Sequence, residues 1–459
     1  MILLQEFHSL LERGWQLAFP QARSRQRAVE HAIASLCVFG RRTISRSLGA
    51  LGRSDCDWSA DYKMFSRCCW QPQRLFDPVI DEYLQRYPKG PVVAAIDDTK
   101  LRKTGKKIPN ACWQRDPLSP PFHVNLLYGL RFLQASLLFP HYQEGDYPPR
   151  GIPVRFQEAP LLKKPGKRAS EEEHKQYLQL RKEKNLSQQT LALLRCLRTS
   201  LDQRGGSTHS LLSVGDGSFA NRTMFKSTLE RTHLLTRCRK DARLCFPAPA
   251  GQRRKYAQQL FTPEQVRQQP ECLWTKAWVY LGGKRRIVKF KEISGVLWKR
   301  GAGQRSLRLL VIAPVPYKLS RYSRTNYRQP AYFLSTDLTT ASKLLVQACF
   351  DRWQIEVNHR DEKDILGVGQ AQVRSQQSVP RQPALAVASY SLLLLAALRS
   401  SGPGRTADYL PQPKWRRNDS KRPSLLDLIT LLRSQSNEAS VSRFLHPDFP
   451  KNLVLYADA

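Results

Sequence analysis

Apolar positions along the chain recur with two different periods, and the change between them marks its organisation. From the N-terminus to about residue 90, apolar residues return every three to four positions between polar turns, which predicts a helical segment. Within it, RQRAVEHAIASLCVFG followed by RRTISRSLGALG reads as a helix, a turn at Gly40 and a second helix opening near Thr43. With Arg41, Arg42 and Arg46 around that opening, the pair has the form of a DNA-reading helix-turn-helix. An ordinary helical hairpin with a solvated basic face is the commoner origin of such a pattern.

At Pro91 the pattern becomes strand-like. PVVAAIDDT is a run of β-formers ending in two carboxylates, FHVNLLYGLRFLQASLLFP is a second, and together they predict a hairpin or meander. The Pro-rich stretch 145–166 has no helical period and reads as a loop, and a long charged helix is expected over 171–201. The Gly205-Gly206 turn then leads into a third strand in HSLLSVGDGSFANR. LWTKAWVYL, RRIVKFKEI and SLRLLVIAPV, separated by glycine turns, suggest a small β-rich subdomain. Helical periodicity returns over 339–364 and 384–398, and a last helix is expected at 424–433. The expected division is a helical N-terminal domain at 1–90, a core in two parts at 91–239 and 336–400, a β-rich insertion at 240–335, and a C-terminal linker and helix at 401–459.

Charge narrows the function. The chain has 459 residues with 74 Lys+Arg against 38 Asp+Glu, a formal net charge of +36, yet 41% of it is apolar. A disordered basic tail is excluded by that apolar share, and a folded chain this basic calls for a polyanionic partner. Between residues 271 and 330 there are fourteen Lys/Arg and only two acids, Glu271 and Glu292. A lipid surface is the weakest candidate: the longest apolar stretch, 384–398, is interrupted by Ser389, Tyr390 and Ser391 and falls short of the about 20 residues of a bilayer span. It reads as a buried core helix. The start, MILLQEFHSLLERGW, lacks a basic leader and carries Glu6 and Glu12, so no signal peptide is expected and a cytoplasmic, nucleoid-associated location is. Ten cysteines without a C-x-x-C suggest neither a disulfide framework nor a zinc knuckle.

Three acidic positions carry the candidate chemistry. Asp97-Asp98 and Asp216 each end an apolar run, where an Asp is more often a turn former capping the next amide. The third is sharper. In DRWQIEVNHRDEKDILGVGQAQ, Arg352, Glu356, His359 and Lys363 lie at offsets of 4, 7 and 11, which on one continuous helix confines them to an arc of roughly 60°. The ordinary explanation is i,i+4 ion pairing, such as Arg352 with Glu356. Three basic groups around one acid are more than pairing requires, and His359 reads as a DNA-contacting or structural histidine, with metal ligation the less favoured role. Two strand-end aspartates and a helical glutamate are the hard oxygen donors needed to hold two Mg²⁺ or Mn²⁺ ions for phosphoryl displacement.

The strand AIDDT, the Asp216 of SVGDGSF, and R-W-x-I-E with a lysine seven residues after the glutamate resemble the DDE transposases of bacterial insertion sequences. That family's glutamate helix carries Tyr, two residues, Arg, three residues, Glu, six residues, Lys; Arg352, Glu356 and Lys363 match, and Cys349 stands at the Tyr position. The resemblance covers roughly residues 90 to 375. It implies an α/β fold: a ribonuclease H-like mixed-sheet core with a β-rich insertion before the catalytic Glu. It also implies metal-dependent cleavage of double-stranded DNA at element ends, strand transfer into target DNA, and a dimer in the DNA complex. Asp98 or Asp97, with Asp216 and Glu356, would bind the ions; alternation along the strand admits only one of the pair, and Asp98 is slightly favoured. Arg352, His359, Lys363, Lys284, Arg285, Arg286, Lys299 and Arg300 would meet DNA. A catalytically silent DNA-binding descendant of a transposase is the alternative, and an RNA-processing nuclease with a similar core a third reading.

Overall fold

The computed structural model describes residues 2–116, 119–120, 122–320, 322–412 and 421–438. The parts of the expected C-terminal linker and tail at 413–420 and 439–459 lie outside the described residues. Five helices open the chain: α1 (Ile2–Gly14), α2 (Ala22–Cys37), α3 (Ile44–Ala50), α4 (Ser59–Ser66) and α5 (Asp77–Arg86). The first buries Leu3, Leu4, Phe7, Leu10 and Leu11, a one-face stripe at helical spacing. Thr43 caps α3 by accepting from the Arg46 amide at 3.2 Å, so the helix–turn–helix order is present. Arg42 is not available to DNA. Its guanidinium donates to the carbonyls of Ser35, Val38 and Ile365, tying the turn to the segment that follows Glu356.

The middle of the chain contains β1 (Val92–Arg102), β2 (Cys112–Arg115), β3 (Leu126–Phe139), β4 (Arg150–Glu158), α6 (Glu171–Glu183), α7 (Leu186–Gln203), β5 (Leu211–Gly215), α8 (Arg222–Lys226) and β6 (Thr232–Arg237). The strands β3 and β4 are antiparallel to their neighbours, whereas β5 and β6 run parallel, side by side with β1. This mixed sheet, in the order β4-β3-β1-β5-β6, is the ribonuclease H-like arrangement expected from the resemblance. Every residue of β5 is buried, as a parallel strand covered on both faces requires.

Two expectations fail here for local reasons. The stretch taken as a loop over 145–166 contains β4, whose Pro153 pairs with Ser136 at a register shift on the outer side of β3, a place where a missing N–H is tolerated. The single helix over 171–201 is two helices, because Asn185 caps α7 by accepting from the Gln188 amide. No residue of α6 is buried.

Beyond β6 come α9 (Pro263–Gln268), β7 (Thr275–Leu281), β8 (Lys284–Leu297), β9 (Ser306–Ile312), the short β10 (Pro316–Tyr317) and β11 (Asn326–Tyr327), and β12 (Ala331–Ser335). Strand β12 pairs antiparallel with β6, and β9, β8 and β7 follow it, so the strands of 240–335 continue the core sheet. The chain then forms α10 (Ser342–Asp351), α11 (Trp353–Arg360), α12 (Ser378–Ser401) and α13 (Leu425–Glu438). Helix α12 is long and apolar enough to cross a membrane, but its apolar window is mostly buried against α1, α2 and β4. It is the core helix expected over 384–398.

Candidate active site

The site begins with strand register. Ala95 of β1 stands beside Val214 of the parallel β5. Two residues further along each chain are Asp97 and Asp216, so the register carries both to the same level on adjacent strands. Asp97 and Asp98 lie inside β1 rather than at its end, since the strand runs on to Arg102.

Alternation separates the two aspartates. Ala95 packs with Leu138 and with Ile355 of α11. Next along that face Ser136, opposite Ala95, donates to Asn358 Oδ1 at 2.9 Å, and Gln134 stands opposite Asp97. Odd-numbered β1 residues therefore share the face covered by α11, and Asp97 belongs to it. Asp98 belongs to the other face, where Arg131 and Lys100 draw on its charge. The sequence reading favoured Asp98 as the ligand; the packing favours Asp97. Burial pushes the Asp97 carboxyl up to about 7, with the negative charges of Asp216 and Asp98 adding to the rise and Arg352 opposing it. Burial raises Asp98 as well.

Asp216 caps the turn after β5. Its Oδ1 accepts from the Ser218 amide at 2.9 Å and from the Ser218 hydroxyl at 2.6 Å, the turn-forming role common for such an Asp, and neither bond uses Oδ2. Together with Arg237, Gly282, Phe350, Arg352 and Trp353 it lines a cleft of about 1100 Å³.

Glu356 sits on α11, and the Arg352 guanidinium donates to its Oε1 at 2.7 Å. This is the i,i+4 pair that helix spacing alone allows. Arg352 also draws on Asp97, so one guanidinium acts on a strand carboxylate as well as on the helix carboxylate. Among the described residues, no three His, Cys, Asp or Glu side chains converge closely enough to hold a metal in this arrangement.

The expected four-residue stripe does not survive the backbone. Arg352 joins two helices, and after Arg360 the chain widens into a π turn at Asp361–Ile365. Such turns often occur at functional sites. The inward side of α11 and this turn is Ile355, Asn358, His359 and Glu362, all buried. His359 is 9% exposed, and burial, reinforced by Lys363 and Arg352, lowers its imidazole to about 3. It is a neutral interior group and not a DNA contact, which corrects the sequence reading. Lys363 is exposed on the turn, and its charge acts on both Asp97 and Asp98.

Sequence reasoning missed the residues that fix α11. Asn358 Nδ2 donates to the Gly151 carbonyl at 2.9 Å and to the Tyr390 hydroxyl at 3.1 Å, and Tyr390 donates to Asp361. Burial pushes Glu362 up to about 8, opposed by its hydrogen bond with Gln134. The i,i+3,i+4,i+7 spacing of 355, 358, 359 and 362 was the available signal.

Lys284, Arg285 and Arg286 are exposed at the start of β8, directly after the Gly282-Gly283 turn that borders the cleft. Lys299 and Arg300 are exposed too, with the Lys299 ammonium 5.4 Å from the Tyr256 ring centre. Three of the fourteen basic residues of this region have interior work instead. Lys291 donates to the Val266, Arg267 and Gln269 carbonyls at the end of α9. Arg305 donates to the carbonyls of Phe225 and Ser227 at the end of α8, and buried Arg308 donates to the Thr340 carbonyl beside Glu292.

A family model described as DDE superfamily endonuclease matches residues 15–301, more than half of the chain. The chain belongs to the DDE superfamily endonucleases. No match was found among curated proteins. The matched span includes Asp97, Asp98 and Asp216 and ends before Glu356. A DDE endonuclease acts on nucleic acid, and members of this superfamily typically use divalent metals. The donor set here fits such an ion: hard oxygens within β1 and just after β5, one of them raised by burial and by its acidic neighbours, would be stabilised by a cation placed between them.

Proposed function

We propose that this DDE endonuclease is a transposase that cuts double-stranded DNA at the ends of a mobile element of the insertion-sequence type and joins the freed end to target DNA. The observation that carries the assignment is the register of β1 and β5 beneath α11, which sets Asp97 beside Asp216 on the face that meets the Glu356 helix. Asp97, Asp216 and Glu356 are the carboxylates of the site. Two bound Mg²⁺ or Mn²⁺ ions would supply charge stabilisation for the attacking and leaving oxygens of an in-line phosphoryl displacement.

The protein's own groups do the rest. Arg352 neutralises Glu356 in the free protein; Glu356 would serve as a metal ligand, and the Arg352 guanidinium would then contact the scissile phosphate in a bidentate grip. Lys363 adds positive charge at the same place, and the Asn358 anchors hold α11, which carries Glu356. Asp97 must be ionised to serve, so proton and cation compete for it around neutral pH. The cationic start of β8 holds flanking duplex, and pairing of two element ends calls for a dimer on DNA in the bacterial cytoplasm.

The test is cleavage of a duplex carrying the sequences that flank the gene, in Mg²⁺. Asp97→Asn, Asp216→Asn and Glu356→Gln should each abolish cutting while the duplex is still bound. Asp98→Asn should continue to cut. Cutting that survives the Asp97 or Glu356 change, or is lost only with Asp98, refutes the assignment. Binding without cutting by the unaltered protein supports the silent DNA-binding alternative instead.

A further inference from the structure

A second groove of about 1120 Å³ lies beside the active-site cleft, and the two share Gly217, Arg237 and Gln329. Gly217 directly follows Asp216, so the groove starts at the site itself. Its walls carry Arg237, Lys240, Arg243 and Arg300, all exposed, and none of the four forms an ion pair among the described residues. Arg239 and Arg267, which also line it, are already answered by Asp241 at 2.7 Å and Glu264 at 2.5 Å. Two cations are answered by salt bridges, and the other four carry charge that no salt bridge answers among the described residues. Trp298 adds an aromatic wall.

We infer that this groove is a binding track for a single strand of nucleic acid leaving the active site, its phosphates read by Arg237, Lys240, Arg243 and Arg300. A positively charged groove with an aromatic wall is the form that binds unpaired strands, following the backbone without reading sequence. The groove is open along its length, the form that an extended strand can follow. Continuity through Gly217 identifies the strand as one that the enzyme has opened beside the cut. The inference rests on the nuclease reading for that identity alone; the binding itself requires no catalysis.

The experiment therefore runs without metal. Binding of a blunt duplex is compared with binding of the same duplex bearing a single-stranded extension of about six nucleotides, using full-length protein, EDTA and a range of salt concentrations. The extension should tighten binding severalfold and steepen the dependence of log K on log salt by about 0.7 for each phosphate held. In the Lys240→Gln/Arg243→Gln double variant the gain should collapse and the added slope fall by about 1.4, as expected when two phosphates are released. The groove assignment is overturned if the unaltered protein gains nothing from the extension, or if the double variant keeps the gain. It is also overturned if the variant loses affinity for blunt and extended duplex by the same factor, which would mark a duplex site. A protein that gains from the extension yet cuts nothing in any metal keeps the groove and loses the nuclease reading.

Discussion

Replacing Asp97 with Asn should make the metal-free protein more stable at pH 8. The carboxyl is raised from 3.8 to about 7 in the folded state, by burial and by Asp216 and Asp98. With a folded value above the unfolded one, the folded chain holds the proton more tightly. The associated stability is complete below the unfolded value and is lost as pH rises through about 7. A shift of about three units at about 1.4 kcal/mol per unit sets an upper bound of about 4 kcal/mol lost between pH 4 and pH 8. Asn carries no charge at any pH, and its side-chain oxygen can still accept from the Asp98 amide as Asp97 Oδ1 does at 2.8 Å. Urea denaturation in EDTA at pH 5, 6, 7 and 8 is the assay. The variant should already lead by up to about 1.7 kcal/mol at pH 5 and the lead should widen as pH rises, the variant ending about 2–4 kcal/mol ahead at pH 8. Mg²⁺ added at pH 8 should stabilise the unaltered protein and close much of the gap, because a ligand that binds only the folded state adds its binding free energy. Parallel pH profiles for the two proteins would refute the reasoning.

Lys291→Met should destabilise the fold by about 1–3 kcal/mol, the cost of buried polar groups left without partners, and leave the salt dependence of DNA binding unchanged. The Arg285→Gln/Arg286→Gln pair should do the reverse, keeping the urea midpoint and lowering the salt slope by about 0.9 for each duplex phosphate that is no longer neutralised. Asn358→Leu should slow cleavage far more than it weakens DNA binding, with faster amide exchange across α11, since Ser136, Gly151 and Tyr390 all lose their common partner.

The legible parts of the sequence were those where one local period dominates. The helical start, the AIDDT strand, the SVGDGSF strand and the buried 384–398 helix all follow from spacing alone. Strand β4 was hidden because Pro153 reads as a breaker, and only its place at a register shift on the outer side of β3 makes it tolerable. Which of Asp97 and Asp98 faces α11 depends on the long-range packing of Ala95 on Ile355, which no local pattern encodes. His359 was misplaced because charge was weighed and burial was not: at offset 7 from Arg352 it belongs equally to the stripe of Ile355, Asn358 and Glu362. The π turn after Arg360 is set by tertiary contacts of Asp361 and Glu362, so the 60° arc expected of a regular helix could not hold. Counting cations along 271–330 likewise counted Lys291, Arg305 and Arg308, which face backbone carbonyls.

Because β12 joins β6, β8 is tied to β5 by an unbroken ladder of backbone hydrogen bonds from Phe290 onward, and its basic start, paired with β7 alone, projects beyond that ladder. Four strand spacings of about 4.8 Å separate β5 from β8, about 19 Å across the sheet, and the register carries the level of Asp216 to Glu292 on β8, so Arg285, seven residues further along that strand at about 3.3 Å each, stands about 30 Å away. The sheet acts as a gauge. On the proposed function, a duplex held by Lys284, Arg285 and Arg286 would reach the carboxylates at an offset set jointly by the count of strands and the length of β8.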